Sequence, residues 1–127
     1  ATVDDPVERM KAVLTGTIAG MYMNFRPEKP LNPVLGETFE AVGADGSKIY
    51  VEQTSHHPPV SHMYVEGPYG RYIVHGWNEY IVNAWLNSAT CIARGWKQVE
   101  FPKRGQKIRF SNPNDMIYNT LFGNLYF

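Results

Sequence analysis

From residue 38 onward the chain is a succession of short aromatic and β-branched runs. They are separated by turn signals at Ala44-Asp45-Gly46-Ser47, Gly67-Pro68-Tyr69-Gly70, Asn87-Ser88 and Pro102-Lys103-Arg104-Gly105. Punctuation of this kind leaves room for strands joined by tight turns and dictates a meander. The spacing predicts strands over Phe39–Val42, Lys48–Thr54, Ser61–Glu66, Tyr72–Trp77, Ile81–Leu86, Thr90–Arg94, Trp96–Phe101, Lys107–Phe110 and Met116–Phe127, the last interrupted at Gly123. Partial alternation in all but the first and last suits an antiparallel sheet with one buried face.

The N-terminal segment reads differently. Asp5 can cap a helix, Pro6 suits its first turn, and Glu8 stands at the capping-box position. A helix is predicted to run to about Met23. Val7, Met10, Leu14, Ile18, Met21 and Phe25 recur every three or four residues, a stripe expected to pack on the sheet. Arg26 to Gly36 then carries three prolines and a glycine, which cannot continue a helix and must form a stiff, extended loop. The expected fold is mainly β with an N-terminal helix, in one domain over residues 1–127, and no repeat or linker divides it.

Composition excludes several classes of function. Twelve basic residues balance twelve acidic ones, so no net field draws the chain to nucleic acid or to an anionic bilayer, and any anion site must be local. Cys91 is the single cysteine and no Asn-x-Ser/Thr sequon occurs, which leans towards the cytosol. No apolar run approaches the ~20 residues of a membrane-spanning helix. The first residue is not Met and the last are Leu125-Tyr126-Phe127, which predicts a chain cut inside a strand.

The most informative stretch is Val51-Glu-Gln-Thr-Ser-His-His-Pro-Pro-Val60, where a strand ends in two histidines and two prolines stiffen the exit. Three chemistries could use it. Metal binding could draw on His56, His57, His62 and His75, but these lack the spacing of zinc ligands and there is no second cysteine. Acid–base catalysis could pair His56 or His57 with Ser55, Glu52 or Cys91, but no Gly-x-Ser-x-Gly elbow or second motif accompanies them. Anion recognition could combine imidazole N–H donors with Lys29 and the amide of Asn32, which lie in the other stiff segment. For a generic sequence, two structural turns with histidines bonded to backbone carbonyls would account for both segments.

Glu52-Gln-Thr-Ser-His-His-Pro-Pro59 resembles the fingerprint of the oxysterol-binding protein family, and Lys29-Pro-Leu-Asn-Pro-Val-Leu-Gly-Glu-Thr-Phe-Glu40 is similar to its second signature. Tyr118-Asn-Thr-Leu-Phe-Gly-Asn-Leu-Tyr126 resembles a later strand of the same family. The resemblance implies a curved antiparallel sheet forming an incomplete lipid-binding β-barrel around a sterol or a phospholipid, with phosphatidylinositol 4-phosphate at its mouth. It implies that His56, His57 and Lys29 contact the phosphate and that Leu31 and Asn32 lie around the headgroup. The family domain is longer, with a lid before this region and further headgroup-binding residues after it, so this chain is expected to be a partial domain.

The resulting expectation is a cytoplasmic lipid-binding and transfer module, peripheral at organelle membranes, with no catalytic residue, metal or cofactor. The alternatives are an interaction domain that kept the fold without a complete cavity and a histidine-dependent hydrolase. The sheet aromatics, without an Arg/Lys stripe, argue against nucleic acid. Lys97, Lys103, Arg104, Lys107 and Arg109 are expected to form a solvated face around a hairpin turn. An open sheet edge at Met116–Phe127 predicts a homodimer.

Overall fold

The computed structural model describes residues 3–21, 32–119 and 122. Helix α1 spans Pro6–Gly20, followed by β1 (Thr38–Val42), β2 (Lys48–His56), β3 (Pro59–Glu66), β4 (Ile73–Trp85), β5 (Ser88–Phe101), β6 (Gln106–Phe110) and β7 (Asp115–Tyr118). The strands form one antiparallel sheet in the order β1-β2-β3-β4-β5-β6, with β7 paired to β5 off that path. Among the described residues nothing pairs β1 with β6 or β7, so the sheet is not closed. The fold is mainly β with one N-terminal helix. The expected strand at Met116–Phe127 is described as β7 as far as Tyr118; residues 120, 121 and 123–127 lie outside the described residues.

Two expected strand pairs are each a single long strand. Tyr72–Trp77 and Ile81–Leu86 merge into β4, and Thr90–Arg94 and Trp96–Phe101 merge into β5. The register is unbroken from Ile73↔Glu100 to Trp85↔Ser88. Gly95 is no break: its φ is +112°, and a Cβ there would come within 2.1 Å of the Trp77 carbonyl oxygen, so the ladder itself requires glycine. Glu79, also inside the ladder, is buried and sits 3.7 Å from Arg94.

The other edge of β5 is shared end to end. β7 takes Ser88–Cys91 and β6 takes Lys97–Phe101. In the gap the Ala93 N–H donates to the Asn114 side chain at 3.1 Å, so a backbone donor left without a strand partner is satisfied by the connecting loop.

At the start of α1, Asp5 Oδ1 accepts from the Val7 N–H at 2.8 Å, while Glu8 pairs with Lys11 at 2.6 Å instead of reaching back to the cap. The face of the helix turned to the sheet is not the expected stripe. Val7, Met10, Leu14 and Ile18 are exposed, Ile18 at 65%. Met21 caps the helix and does reach the space between helix and sheet, whereas Phe25 lies outside the described residues. That space is lined on the helix side mainly by Arg9, Ala12, Val13, Gly16 and Gly20. Arg9 fixes this orientation. Buried at 6% exposure, it donates to the carbonyls of Val3 and Asp4 at 2.6 and 2.8 Å and to Gln106 at 2.5 Å, with its guanidinium 5.8 Å from the Phe101 ring centre. A buried guanidinium must have such partners, and here they outweigh the burial of an aliphatic stripe. With small residues on this helix face, a cavity of about 660 Å³ remains between α1 and the sheet.

Candidate functional site

Strand direction decides what meets what. β2 runs up to His56, β1 is antiparallel to it, and β4 is parallel in direction to β2, so the start of β1, the β2–β3 turn and the β4–β5 turn all lie at one end of the sheet. The described end of the first stiff segment, residues 32–36, is therefore a neighbour of the second. Thr38 stands opposite Glu52, and the preceding residues continue the pairing: the Gly36 N–H donates to the Gln53 carbonyl at 2.8 Å and the Gln53 N–H to the Glu37 carbonyl at 2.9 Å. Glu37 N–H closes a turn on the Val34 carbonyl at 3.0 Å, with Gly36 at φ +78°, a value that suits glycine at the third turn position. This turn carries the chain from Asn32 into β1 beside the histidine strand.

Gln53 holds that strand in place, a role the sequence reading missed. At 2% exposure, it donates its amide to the Ser55 carbonyl at 3.0 Å and accepts from the Ser61 hydroxyl. The first bond spans a one-residue bulge and the second joins the strands beside it: Gln53 pairs with Ser61, but Ser55 pairs with Val60, leaving Thr54 extra. Thr54 lies 2.8 Å from His62 Nδ1 through its hydroxyl. Gln53 and Ser55 both stand in the fingerprint stretch, but their bracing role is not legible there, because only the bulge gives that pair its partners.

His56 ends β2, opposite Pro59, and His57-Pro58, a cis peptide, forms the tip. The two imidazoles are exposed, 5.1 Å apart between ring centres and inclined at 65°. Among the described residues neither ring has a hydrogen-bond partner, so their nitrogens are available to a ligand. Asn32 is exposed at the same end of the sheet. The expected contributions of Lys29 and Leu31 fall outside the described residues.

The other candidate histidines are elsewhere and engaged: His62 with Thr54, and His75 with Glu100 at 3.0 Å and edge-on to Trp96. Among the described residues there is no group of three His, Cys, Asp or Glu side chains that could hold a metal ion. Cys91, opposite Val82 on β4, has its thiol pushed up by burial and by the charge of Asp115, the reverse of what a nucleophile needs.

The basic residues near the β5–β6 turn do not form one solvated face. Lys97 lines the cavity under α1; Arg109 lies 4.1 Å over the Trp96 ring; Arg104 pairs with Asp4 at 2.5 Å and Lys107 with Glu100 at 3.4 Å. Strand alternation separates Lys97 and Arg109, since Lys97 opposes Phe110 and Arg109 opposes Gln98.

An open antiparallel sheet carrying one helix on its face, with a histidine turn at its end, defines the class of fold: a mainly β domain whose sheet is not closed among the described residues. The family model described as oxysterol-binding protein matches residues 1–127, and the chain belongs to that family. It is 36% identical over 123 residues to oxysterol-binding protein 9 of Dictyostelium discoideum, covering 97% of this chain and 28% of the relative. It is 33% identical over 128 residues to human oxysterol-binding protein-related protein 1, covering 99% of this chain and 14% of the relative. Among solved structures, the Osh1 ORD domain in complex with ergosterol superposes with a TM-score of 0.84 at 26% identity, over 97% of this chain and 30% of that one. The Osh3 ORD of Saccharomyces cerevisiae in complex with PI(4)P superposes with a TM-score of 0.70 at 27% identity, over 78% of this chain and 26% of that one. The chain thus spans less than a third of each of these proteins.

Proposed function

We propose that residues 1–127 act as the headgroup-binding part of a lipid-binding and transfer module, in which His56 and His57 donate to the 4-phosphate of phosphatidylinositol 4-phosphate. The observation that carries this reading is the pair of adjacent imidazoles, without hydrogen-bond partners among the described residues, on a braced turn beside the segment that leads to Asn32. In this reading Lys29, Leu31 and Asn32 complete the headgroup site, and the cavity under α1 receives a sterol or a phospholipid chain. The complexes of Osh1 with ergosterol and of Osh3 with PI(4)P support both halves. The chemistry is binding, with no catalytic step, cofactor or metal.

The same end of the sheet carries the tip of the β4–β5 hairpin, where Trp85 and Leu86 are 78% and 86% exposed. No charged residue occurs between Ile81 and Ala93. An exposed indole and leucine on an uncharged arm suit the membrane interface, so this end is proposed to face the bilayer in a cytoplasmic protein peripheral at organelle membranes. The test is co-sedimentation with vesicles. Wild-type chain should prefer vesicles containing phosphatidylinositol 4-phosphate over those containing phosphatidylinositol, and His56→Ala/His57→Ala should lose the preference; a preference that survives the double substitution contradicts the reading.

A further inference from the structure

Lys97 is the feature of the cavity that neither the fold nor the proposed headgroup site accounts for. It sits near the middle of the sheet face under α1, opposite Gly76 on one side and Phe110 on the other. Its neighbours across the strands are therefore a residue without a side chain and an aromatic ring. Among the described residues its ammonium has no hydrogen-bond or ion-pair partner, and burial pushes its pKa down with no carboxylate to hold it up. The other groups around the cavity are already engaged: Arg9 with Val3, Asp4 and Gln106, Tyr72 with Asp45, and Tyr80 with Asn112. Asp115 also lines the space, but it opposes Cys91. Six residues of strand separate that level from Lys97, about 20 Å at roughly 3.3 Å per residue.

We propose that the cavity between α1 and the sheet takes a single-chain amphiphile with a monoanionic head, a long-chain carboxylic acid, whose carboxylate pairs with Lys97 while its chain lies against Ala12, Gly16, Val74 and Val99. This rests on the reading of the cavity as a lipid site and goes beyond it, adding a single-chain carboxylate to the ligands that the cavity takes. A cavity of about 660 Å³ falls within the usual range for small-molecule sites. A neutral hydroxyl could accept one hydrogen bond from the ammonium, but only an anion also restores the charge balance lost on burial. One cation without a partner among the described residues calls for one negative charge.

The experiment is displacement of Nile red, a neutral fluorophore, from the 127-residue chain by oleate, oleyl alcohol and cholesterol, repeated with Lys97→Met. Oleate should compete at least tenfold better than oleyl alcohol, and K97M should remove that preference while leaving the alcohol within about twofold. Oleyl alcohol competing as well as oleate would overturn the inference, as would a preference that persists in K97M. The wild-type ratio decides even if K97M does not fold. No oleate preference in the wild-type chain, together with intact, His56/His57-dependent binding to phosphatidylinositol 4-phosphate vesicles, removes this inference and leaves the proposed function standing. Failure of all three probes removes the inference and the cavity half of that function together.

Discussion

The Gly36 N–H donates to the carbonyl of Gln53 at 2.8 Å, and through this bond the loop leading from Asn32 is tied to the strand that ends in His56. The tie joins residues seventeen positions apart in sequence. It sets the described end of the proline-rich loop beside the histidine strand before any ligand arrives, and preorganisation of this kind lowers the entropic cost of binding.

Gln53 is the brace on which this depends. Gln53→Leu would leave the Ser61 hydroxyl and the Ser55 carbonyl without their partner in a site at 2% exposure. A loss of about 1–3 kcal/mol is expected. Urea unfolding should show this loss, and affinity for phosphatidylinositol 4-phosphate vesicles should fall although no proposed ligand-contacting residue has changed. Unchanged stability and affinity would show that the bulge holds itself.

The turn between β1 and β2 gives a pH signature. Asp45 accepts from the Ser47 N–H at 3.0 Å and the Tyr72 hydroxyl at 2.8 Å, and these bonds, those to Ser47 foremost, lower its carboxyl from 3.8 to about 2. A group depressed on folding adds stability above its unfolded pKa and loses it as pH falls through the folded value. The difference in urea midpoint between wild type and Asp45→Asn should therefore be constant from pH 7 to about 5 and shrink to nothing as pH falls from about 4 to about 2. A difference that grows as the pH is lowered would contradict the assignment.

Trp85 and Leu86 should contribute membrane affinity that does not depend on the headgroup. Trp85→Ser/Leu86→Ser is expected to weaken binding to vesicles with and without phosphatidylinositol 4-phosphate by the same factor, on the order of tenfold or more given about 1.5–3 kcal/mol for burying one large apolar side chain. Selective loss on phosphoinositide vesicles alone would place the tip in the headgroup site instead.

Self-association of this chain is proposed from the exposed stripe Val7, Met10, Leu14 and Ile18 and from the edge of β1, which is unpaired among the described residues. Light scattering at roughly 100 μM, well above the micromolar affinity of a modest interface, should report a dimer or larger species, and Leu14→Lys/Ile18→Lys should shift it towards monomer. A monodisperse wild-type monomer would rule the association out.

Turn chemistry made most of the sheet legible: the signals at Asp45-Gly46, Pro68-Tyr69 and Pro102-Lys103 all fall between observed strands. Periodicity misled where it gave no direction. The stripe on α1 is real, but periodicity cannot say which of two faces meets the sheet, and buried Arg9 with its backbone partners decided that. Gly95 looked like a break because its close approach to Trp77 exists only in the paired ladder. Of the candidate site, the histidine turn could be read directly. The brace at Gln53 and the inward Lys97 could not, since each takes its meaning from register.

Imidazole resonances followed by NMR during titration with a soluble short-chain phosphatidylinositol 4-phosphate report whether the two rings meet the headgroup. The His56 and His57 ring signals should shift together and saturably, while those of His75, already bonded to Glu100 on β5, stay in place. Ligand binding that leaves both His56 and His57 unmoved would contradict the account.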